Sequence, residues 1–302
     1  PVAILEPVQV GGVTVSRATL HNFDELKRKD IRIDDMVLVE RSGDVIPQVV
    51  KSIIEKRTGE EKARVIPRKC PVCGSDVIRT LDEVAVRCPN KQCPARLKWR
   101  IEYFASRDAM DIDHLGGQTI DKLIEKGLVD TIADLYALTE KDLLSLEGFK
   151  EKSVKNLLDS IEKSKQQGLA RLIYGLGLRH VGKYASQLLA TQYHSIDELA
   201  KKTAEELTQI HGLGQKTAEA IATFFATEEN IELINKLKGI GIRTKETKKE
   251  GPLSGKKFVF TGGLSSMSRP DASDLVMKNG GMVASAIAQD IDYVVVGTDP
   301  GS

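Results

Sequence analysis

Aromatic residues are scarce in this chain, at 5% of 302 residues with a single tryptophan. That scarcity argues against base stacking on an aromatic platform as the main binding mode. No apolar run reaches the roughly 18 residues that a membrane-spanning helix needs. No basic–apolar–small leader opens the chain, so a cytoplasmic protein is expected. A G-x-x-x-x-G-K-[ST] loop is absent, and Gly175-Leu176-Gly177 lacks the strand–turn–helix context of a dinucleotide fingerprint. His21, His114, His180, His194 and His211 are scattered, four of them at turns or helix edges, which argues against a catalytic set. Acidic metal ligands are not grouped, and no Asp-Gly dipeptide occurs anywhere. The chain starts at Pro1 and stops at Ser302 just after a strand-like run, so both ends are expected to be cut from something longer.

Cysteine is also sparse, but its four copies are concentrated. Cys70, Cys73, Cys88 and Cys93 fall within 24 residues, spaced C-x2-C-x14-C-x4-C, with Pro71, Gly74 and Pro89 beside them. Two close pairs of thiols at this density point to a tetrahedral four-cysteine zinc site. Cys70-Pro-Val-Cys73-Gly reads as a knuckle that converges two sulfurs on one metal while backbone N–H groups approach the thiolates. With no fifth ligand and no nearby histidine, no coordination position stays open, so the metal is expected to be structural. Two disulfides are the alternative, and a reducing cytosol argues against them.

Net charge is close to zero at +1, yet it is unevenly spread. From Lys51 to Arg107 there are 14 Lys and Arg against 7 Asp and Glu. A basic segment centred on the cysteines is the footprint of a polyanion partner, or else a solvated basic surface.

Residues 1–66 read as short strands around one small helix. Val8/Val10 and Val13/Val15 alternate about Gly11-Gly12, and Val37–Arg41 faces Val45–Val50 across Ser42-Gly43-Asp44. Leu20 to Lys29 has helical spacing. This pattern suits a small barrel such as an OB-fold. Residues 67–96 hold the zinc finger. From 97 to 243 the pattern turns helical and repeats. Ile112-Asp-His-Leu-Gly116, Leu146-Glu-Gly-Phe-Lys150, Leu178-Arg-His-Val-Gly182 and Ile210-His-Gly-Leu-Gly214 start 34, 32 and 32 residues apart, each before a polar helix start. Residues 244–252 are charged, end in Gly-Pro and read as a linker. Residues 253–302 read as the opening of a small α/β domain, with strands at 257–260, 282–287 and 292–296 and a helix at 269–279.

The repeated turn, apolar-x-Gly-apolar-Gly before a helix, has the form of a helix-hairpin-helix motif. A glycine of positive φ would turn consecutive amides and the next helix N-terminus outward together, a nest for phosphate oxygens that reads no base. The candidate contacts are Gly116, Gly148, Gly182, Gly212, Gly214 and Lys216. Only the fourth copy matches fully. His114 and His180 replace the first glycine in copies one and three, and Lys150 replaces the second glycine in copy two. Those three copies are expected to bind phosphate less well or to serve as packing. Plain αα-hairpins with glycine caps, or a protein-binding helical repeat, are the alternatives.

Leu5-Glu-Pro-Val8 through His21-Asn22 and Arg41-Ser-Gly-Asp44-Val45-Ile46-Pro47-Gln48 closely resemble bacterial NAD-dependent DNA ligase. The likeness continues through the four-cysteine finger, the four hairpins and Gly255-Lys-Lys-Phe-Val-Phe-Thr-Gly262, which is similar to the opening of a BRCT domain. The resemblance implies a multidomain chain of OB-fold, zinc finger, helix-hairpin-helix domain and partial BRCT domain, following an adenylation domain. It implies a protein that seals nicks in duplex DNA using NAD and Mg2+, working as a monomer in the bacterial cytoplasm on nucleoid DNA. The family's nucleophilic lysine lies in Lys-x-Asp-Gly, which this chain lacks, so self-adenylation is expected upstream of Pro1. By the same resemblance the Arg41–Ile46 hairpin would press on the minor groove, Arg41 meeting phosphate and Val45-Ile46 lying against sugars and base edges. Ordinary barrel core is the alternative for that pair. A stand-alone DNA-binding module, a subunit of a helix-hairpin-helix nuclease or helicase, and a zinc-dependent protein scaffold are the rival readings.

Overall fold

The structure is a computed structural model, and it describes residues 1–43, 45–79, 84–246, 251–284 and 291–298. It divides into two units, 1–97 and 98–302.

In the first unit, strands β1 (Val2–Val10) and β2 (Val13–Thr19) form a hairpin that turns at Gly11-Gly12. Helix α1 (Phe23–Arg28) follows, capped by Asn22, whose Oδ1 accepts the Glu25 N–H at 2.9 Å. Two short strands, β3 (Arg32–Ile33) and β6 (Lys62–Ala63), pair with each other across the later β4 (Val37–Ser42) and β5 (Ile46–Ser52). The main sheet runs β1-β2-β5-β4. Alternation along the strands sends Ala18, Leu20 and Val49 inward to meet Leu26 and Ile31, with Ala3, Leu5, Val37 and Val39 packed around them. The expected small β domain with one helix is what these residues form; β3 and β6 are too short to leave a periodic signal.

Arg57 locks this barrel. Its guanidinium reaches Asp35 at 2.7 Å and Asp30 at 2.7 Å, and the Asp35 side chain is only 1% exposed. Arg57 beside it holds the Asp35 carboxyl below its ordinary value, against the opposing effect of burial.

Helix α2 (Pro94–Ala105), which runs through the division at residue 97, starts three residues before the expected position. Pro94 supplies the preset φ of a first helical residue, and the Cys93 carbonyl accepts the Arg96 and Leu97 N–H groups. The helices that follow are α3 (Gly117–Glu125), α4 (Glu140–Leu144), α5 (Glu151–Ser164), α6 (Leu169–Gly175) and α7 (Lys183–Gln192). After them come α8 (Ile196–Leu199), α9 (Ala204–Thr208), α10 (Gln215–Ala226) and α11 (Glu228–Gly239). Their amphipathic spacing buries Ile101, Phe104, Ile120, Leu123, Leu143, Leu157, Leu172 and Leu189 without exposure.

The expected linker begins inside this domain. Thr244 is buried, Glu246 Oε1 accepts the Leu169 N–H at 2.6 Å, and the Glu246 N–H bonds the His194 carbonyl at 2.8 Å. A carboxylate placed on the first amide of α6 acts as its cap, so composition alone placed the linker's start too early. Residues 247–250 lie outside the described residues.

The last part forms a parallel sheet ordered β8-β7-β9, from β7 (Lys257–Thr261), β8 (Met282–Val283) and β9 (Tyr293–Val296), with α12 (Arg269–Lys278) between β7 and β8. The expected strand at 282–287 is described only to Ala284; its remainder lies outside the described residues.

Candidate functional site

All four cysteine sulfurs lie within 4.8 Å of one another. Cys70 Sγ is 3.9 Å from Cys93 Sγ, and Cys73 Sγ is 3.5 Å from Cys88 Sγ. A tetrahedron of zinc–sulfur bonds of about 2.3 Å has edges of about 3.8 Å, whereas a disulfide needs about 2.05 Å. The residues therefore fit zinc and not disulfides. Among the described residues no histidine or carboxylate joins the group.

Local folding explains the convergence. The Cys70–Ser75 turn is closed by the Gly74 N–H on the Cys70 carbonyl at 3.0 Å and by the Cys70 N–H on the Ser75 carbonyl at 2.8 Å. Backbone N–H groups of Cys73 and Val72 point at the Cys70 sulfur and lower its pKa. The Ser75 hydroxyl and N–H lower the Cys73 thiol to about 6, while burial pushes Cys88 up to about 12. A bound divalent metal holds all four as thiolates. The finger is tied to the barrel by Arg79, which pairs with Asp24 at the start of α1.

At the tip of the β4–β5 hairpin, Ser42 pairs with Ile46, and the Val45 N–H bonds the Ser42 carbonyl at 3.2 Å. Asp44 lies outside the described residues. Val45 is 73% exposed and Ile46 58% exposed. Their side chains are not barrel core, so that alternative falls. Arg41 donates from Nη1 to the Gly11 carbonyl at 3.4 Å and so links the two β-hairpin turns.

The four helix-hairpin-helix turns share one backbone path, although their residues differ. The third residue of each has positive φ: His114 at 67°, Gly148 at 85°, His180 at 61° and Gly212 at 95°. Histidine enters the left-handed region several times more readily than most side chains. Copies one and three therefore make the same left-handed turn with histidine in place of glycine. The first and fourth residues are both buried in copies one and three, Ile112/Leu115 and Leu178/Val181, whereas Phe149 of copy two and Ile210 of copy four are half-buried beside the buried Leu146 and Leu213.

The fifth residue requires a correction. Gly116, Gly182 and Gly214 have φ of −80°, −89° and −77°, extended backbone open to any residue, so a left-handed turn is not their role. Each is the N-cap of the next helix, and nothing lies within 4 Å of where a Cβ would sit. Copy two caps α5 with Lys150.

These helix starts lack a cap from the N-cap side chain, a feature they share with α6 and α11. The helices α3, α5, α7 and α10 begin with no side-chain hydrogen bond from the N-cap residue. By contrast, Asn22, Thr139, Ser195 and Thr203 cap α1, α4, α8 and α9 through their side chains. Orphan amides at a helix start seek an acceptor, and the N-cap residues Gly116, Lys150, Gly182 and Gly214 are exposed. Lys216, in the first turn of α10, is exposed beside them. Neighbouring turns are also joined in pairs. Lys122 Nζ of α3 bonds the Glu147 carbonyl of turn two at 2.6 Å, and the Tyr184 hydroxyl of α7 lies 3.1 Å from the Cβ position of Gly212 in turn four.

Comparison with known proteins follows the same divisions. Residues 1–61 match the NAD-dependent DNA ligase OB-fold domain, and residues 69–95 match the NAD-dependent DNA ligase C4 zinc finger domain. Residues 106–163 match a SAM-like helix-hairpin-helix tandem, 171–234 a helix-hairpin-helix motif, and 248–302 the BRCT domain. Over its whole length the chain is 49% identical to a DNA ligase of Geobacter sulfurreducens, 50% to one of Pelotomaculum thermopropionicum and 46% to one of Thermoanaerobacter pseudethanolicus. It spans 45 to 46% of the length of these relatives. The finger is thus a structural zinc site, and no described helix is long and apolar enough to cross a membrane. Two ligase-specific domains in order, a fitting four-sulfur site and paired hairpins converge on one assignment: the chain belongs to the NAD-dependent DNA ligase family.

Proposed function

We propose that this chain is the DNA-gripping portion of an NAD-dependent ligase that seals nicks in duplex DNA during replication and repair. The observation that carries the reading is the repeated turn: four hairpins with positive φ at their third residue each lead into a helix whose N-cap side chain makes no hydrogen bond to its amides. Phosphate oxygens satisfy such amides, and the positive end of the helix dipole adds to the attraction. Contacts of this kind fix position without reading sequence.

In this reading Gly116, Gly148, Gly182, Gly212, Gly214 and Lys216 form the phosphate-facing surface. Arg41, Val45 and Ile46 engage the minor groove, where an exposed apolar pair at a turn distorts the duplex and aligns the nick termini. Zinc holds the finger's fold and takes no part in the chemistry. NAD and Mg2+ serve the complete enzyme, and lysine adenylation falls to an adenylation domain of the same protein, because no Lys-x-Asp-Gly occurs here. The protein works as a monomer in the cytoplasm, on nucleoid DNA. The order of matched domains does not favour a nuclease or helicase subunit.

The test is a salt series. The 302-residue chain should bind labelled nicked duplexes of unrelated sequence equally and lose affinity linearly in log–log form with salt. Joined to the adenylating half of a relative, it should restore nick sealing. Failure to bind any duplex at low salt refutes the reading.

A further inference from the structure

We propose that Trp99 is a nucleic-acid contact, its exposed indole packing against the sugar edge of a duplex whose phosphates the third hairpin holds. The inference rests on the DNA-gripping reading above. Trp99 is the only tryptophan in the chain and is 56% exposed on α2. It does not stand alone. Its ring stacks on Tyr103 at 5.1 Å between centroids and 19° between planes, and Tyr103 in turn meets Tyr174 at 5.0 Å.

This aromatic ladder braces the entrance to the third hairpin. Tyr174 lies in α6, and three residues later Gly177 turns the chain at φ 66° into Leu178. A Cβ on Gly177 would sit 3.6 Å from the Tyr103 ring and 4.0 Å from the Trp99 ring. The indole is therefore held beside the turn that carries His180 and opens α7. A ring fixed by stacking loses little freedom on binding, which makes it an economical contact.

Charge identifies what covers the ring. From Lys163 to Ile196 the chain carries five Lys or Arg and no Asp or Glu. Arg179 and Lys183 flank the turn and are exposed, while Lys98 and Arg100 flank Trp99. Acids do approach from neighbouring segments, but Asp108 pairs with Lys183 and Asp121 with Lys98, each at 2.5 Å. Glu102 also lies on α2, near Lys98. These four cations exceed the three acids by one around an apolar ring. A duplex edge offers the matching pair, deoxyribose faces beside phosphates, whereas an apolar protein surface would leave the basic run unmatched.

The single tryptophan makes the test direct in the unaltered chain. Acrylamide should quench its fluorescence freely without DNA and poorly with saturating nicked duplex, with a midpoint equal to that from anisotropy of labelled DNA. Trp99→Ala should weaken binding about tenfold with an unchanged salt slope, since no charge is lost. Trp99→Phe should retain most of the affinity. Unchanged quenching at DNA saturation overturns the proposal, as does wild-type affinity in a folded Trp99→Ala variant. Protection that appears without DNA as protein concentration rises would assign the ring to self-association and overturn it as well. Failure of the unaltered chain to bind duplex would fell the DNA-gripping reading itself; binding without any response at Trp99 fells this inference alone.

Discussion

Replacing Gly214 with serine separates the demands of folding from those of phosphate binding. Gly214 has φ −77° and ψ 159°, the conformation of an ordinary N-cap, and open space surrounds its Cβ position. Serine fits there without strain, and its hydroxyl would accept the N–H of Lys216 or Thr217. Because serine caps exceed glycine caps by a few tenths of a kcal/mol, the melting temperature should hold or rise slightly. If a phosphate oxygen uses the same amides, the hydroxyl competes with it. A hydrogen bond to a charged acceptor contributes about 1.5–3 kcal/mol, so the loss should be about tenfold in affinity or more.

The assay pairs thermal melting with anisotropy of a labelled nicked duplex at fixed salt, on one preparation. Gly116→Ser and Gly182→Ser extend it to turns one and three, and a turn showing no effect is packing only. Gly212→Ser is the contrasting control. At φ 95° a side chain is strained and would crowd the Tyr184 hydroxyl, so stability should fall by about 1–3 kcal/mol. Wild-type affinity in a Gly214→Ser protein of equal or greater stability refutes the idea that these amides hold phosphate.

His180→Gly and His114→Gly should leave melting within about 0.5 kcal/mol, because glycine's chain entropy offsets the relieved left-handed strain; a β-branched valine there should melt clearly lower. Elemental analysis should find one zinc per chain, and Cys73→Ser should release it and unfold the finger, seen as protease cleavage between residues 67 and 96. In a full-length enzyme, Val45→Ala with Ile46→Ala should slow sealing while sparing self-adenylation and melting, since both side chains are exposed; equal loss of both partial reactions would refute the groove contact. Asp35 has its pKa lowered in the fold by Arg57. Its stabilising effect is present above the unfolded carboxyl value of about 3.9 and lost as pH falls through the lower folded value. Unit one should therefore weaken below about pH 4, and Asp35→Asn should flatten that acid limb in a pH–melting series while lowering the neutral melting point by roughly 5 °C.

The zinc ligands were legible because ligation belongs to side chains: four thiols in two pairs leave little choice of chemistry, and the sulfurs do converge. The repeat was legible for a similar reason, since apolar residues at positions one and four recur with each hairpin. Glycine count does not report the backbone path of the hairpins, because the four turns share a dihedral angle rather than a residue. His114 and His180 adopt the angle that Gly148 and Gly212 adopt, while Gly116, Gly182 and Gly214 do not adopt it at all. Those three are better understood through what they omit. Thr139 with Asp142 and Thr203 with Glu206 are capping boxes written plainly in the sequence. Set beside them, a glycine at the same position of α3, α7 and α10 marks a helix start left open. Trp99 illustrates the opposite limit. Its position four residues before Tyr103 is visible in the sequence, but only the fold brings Tyr174 and Gly177 against the pair and leaves the indole facing out beside a basic turn.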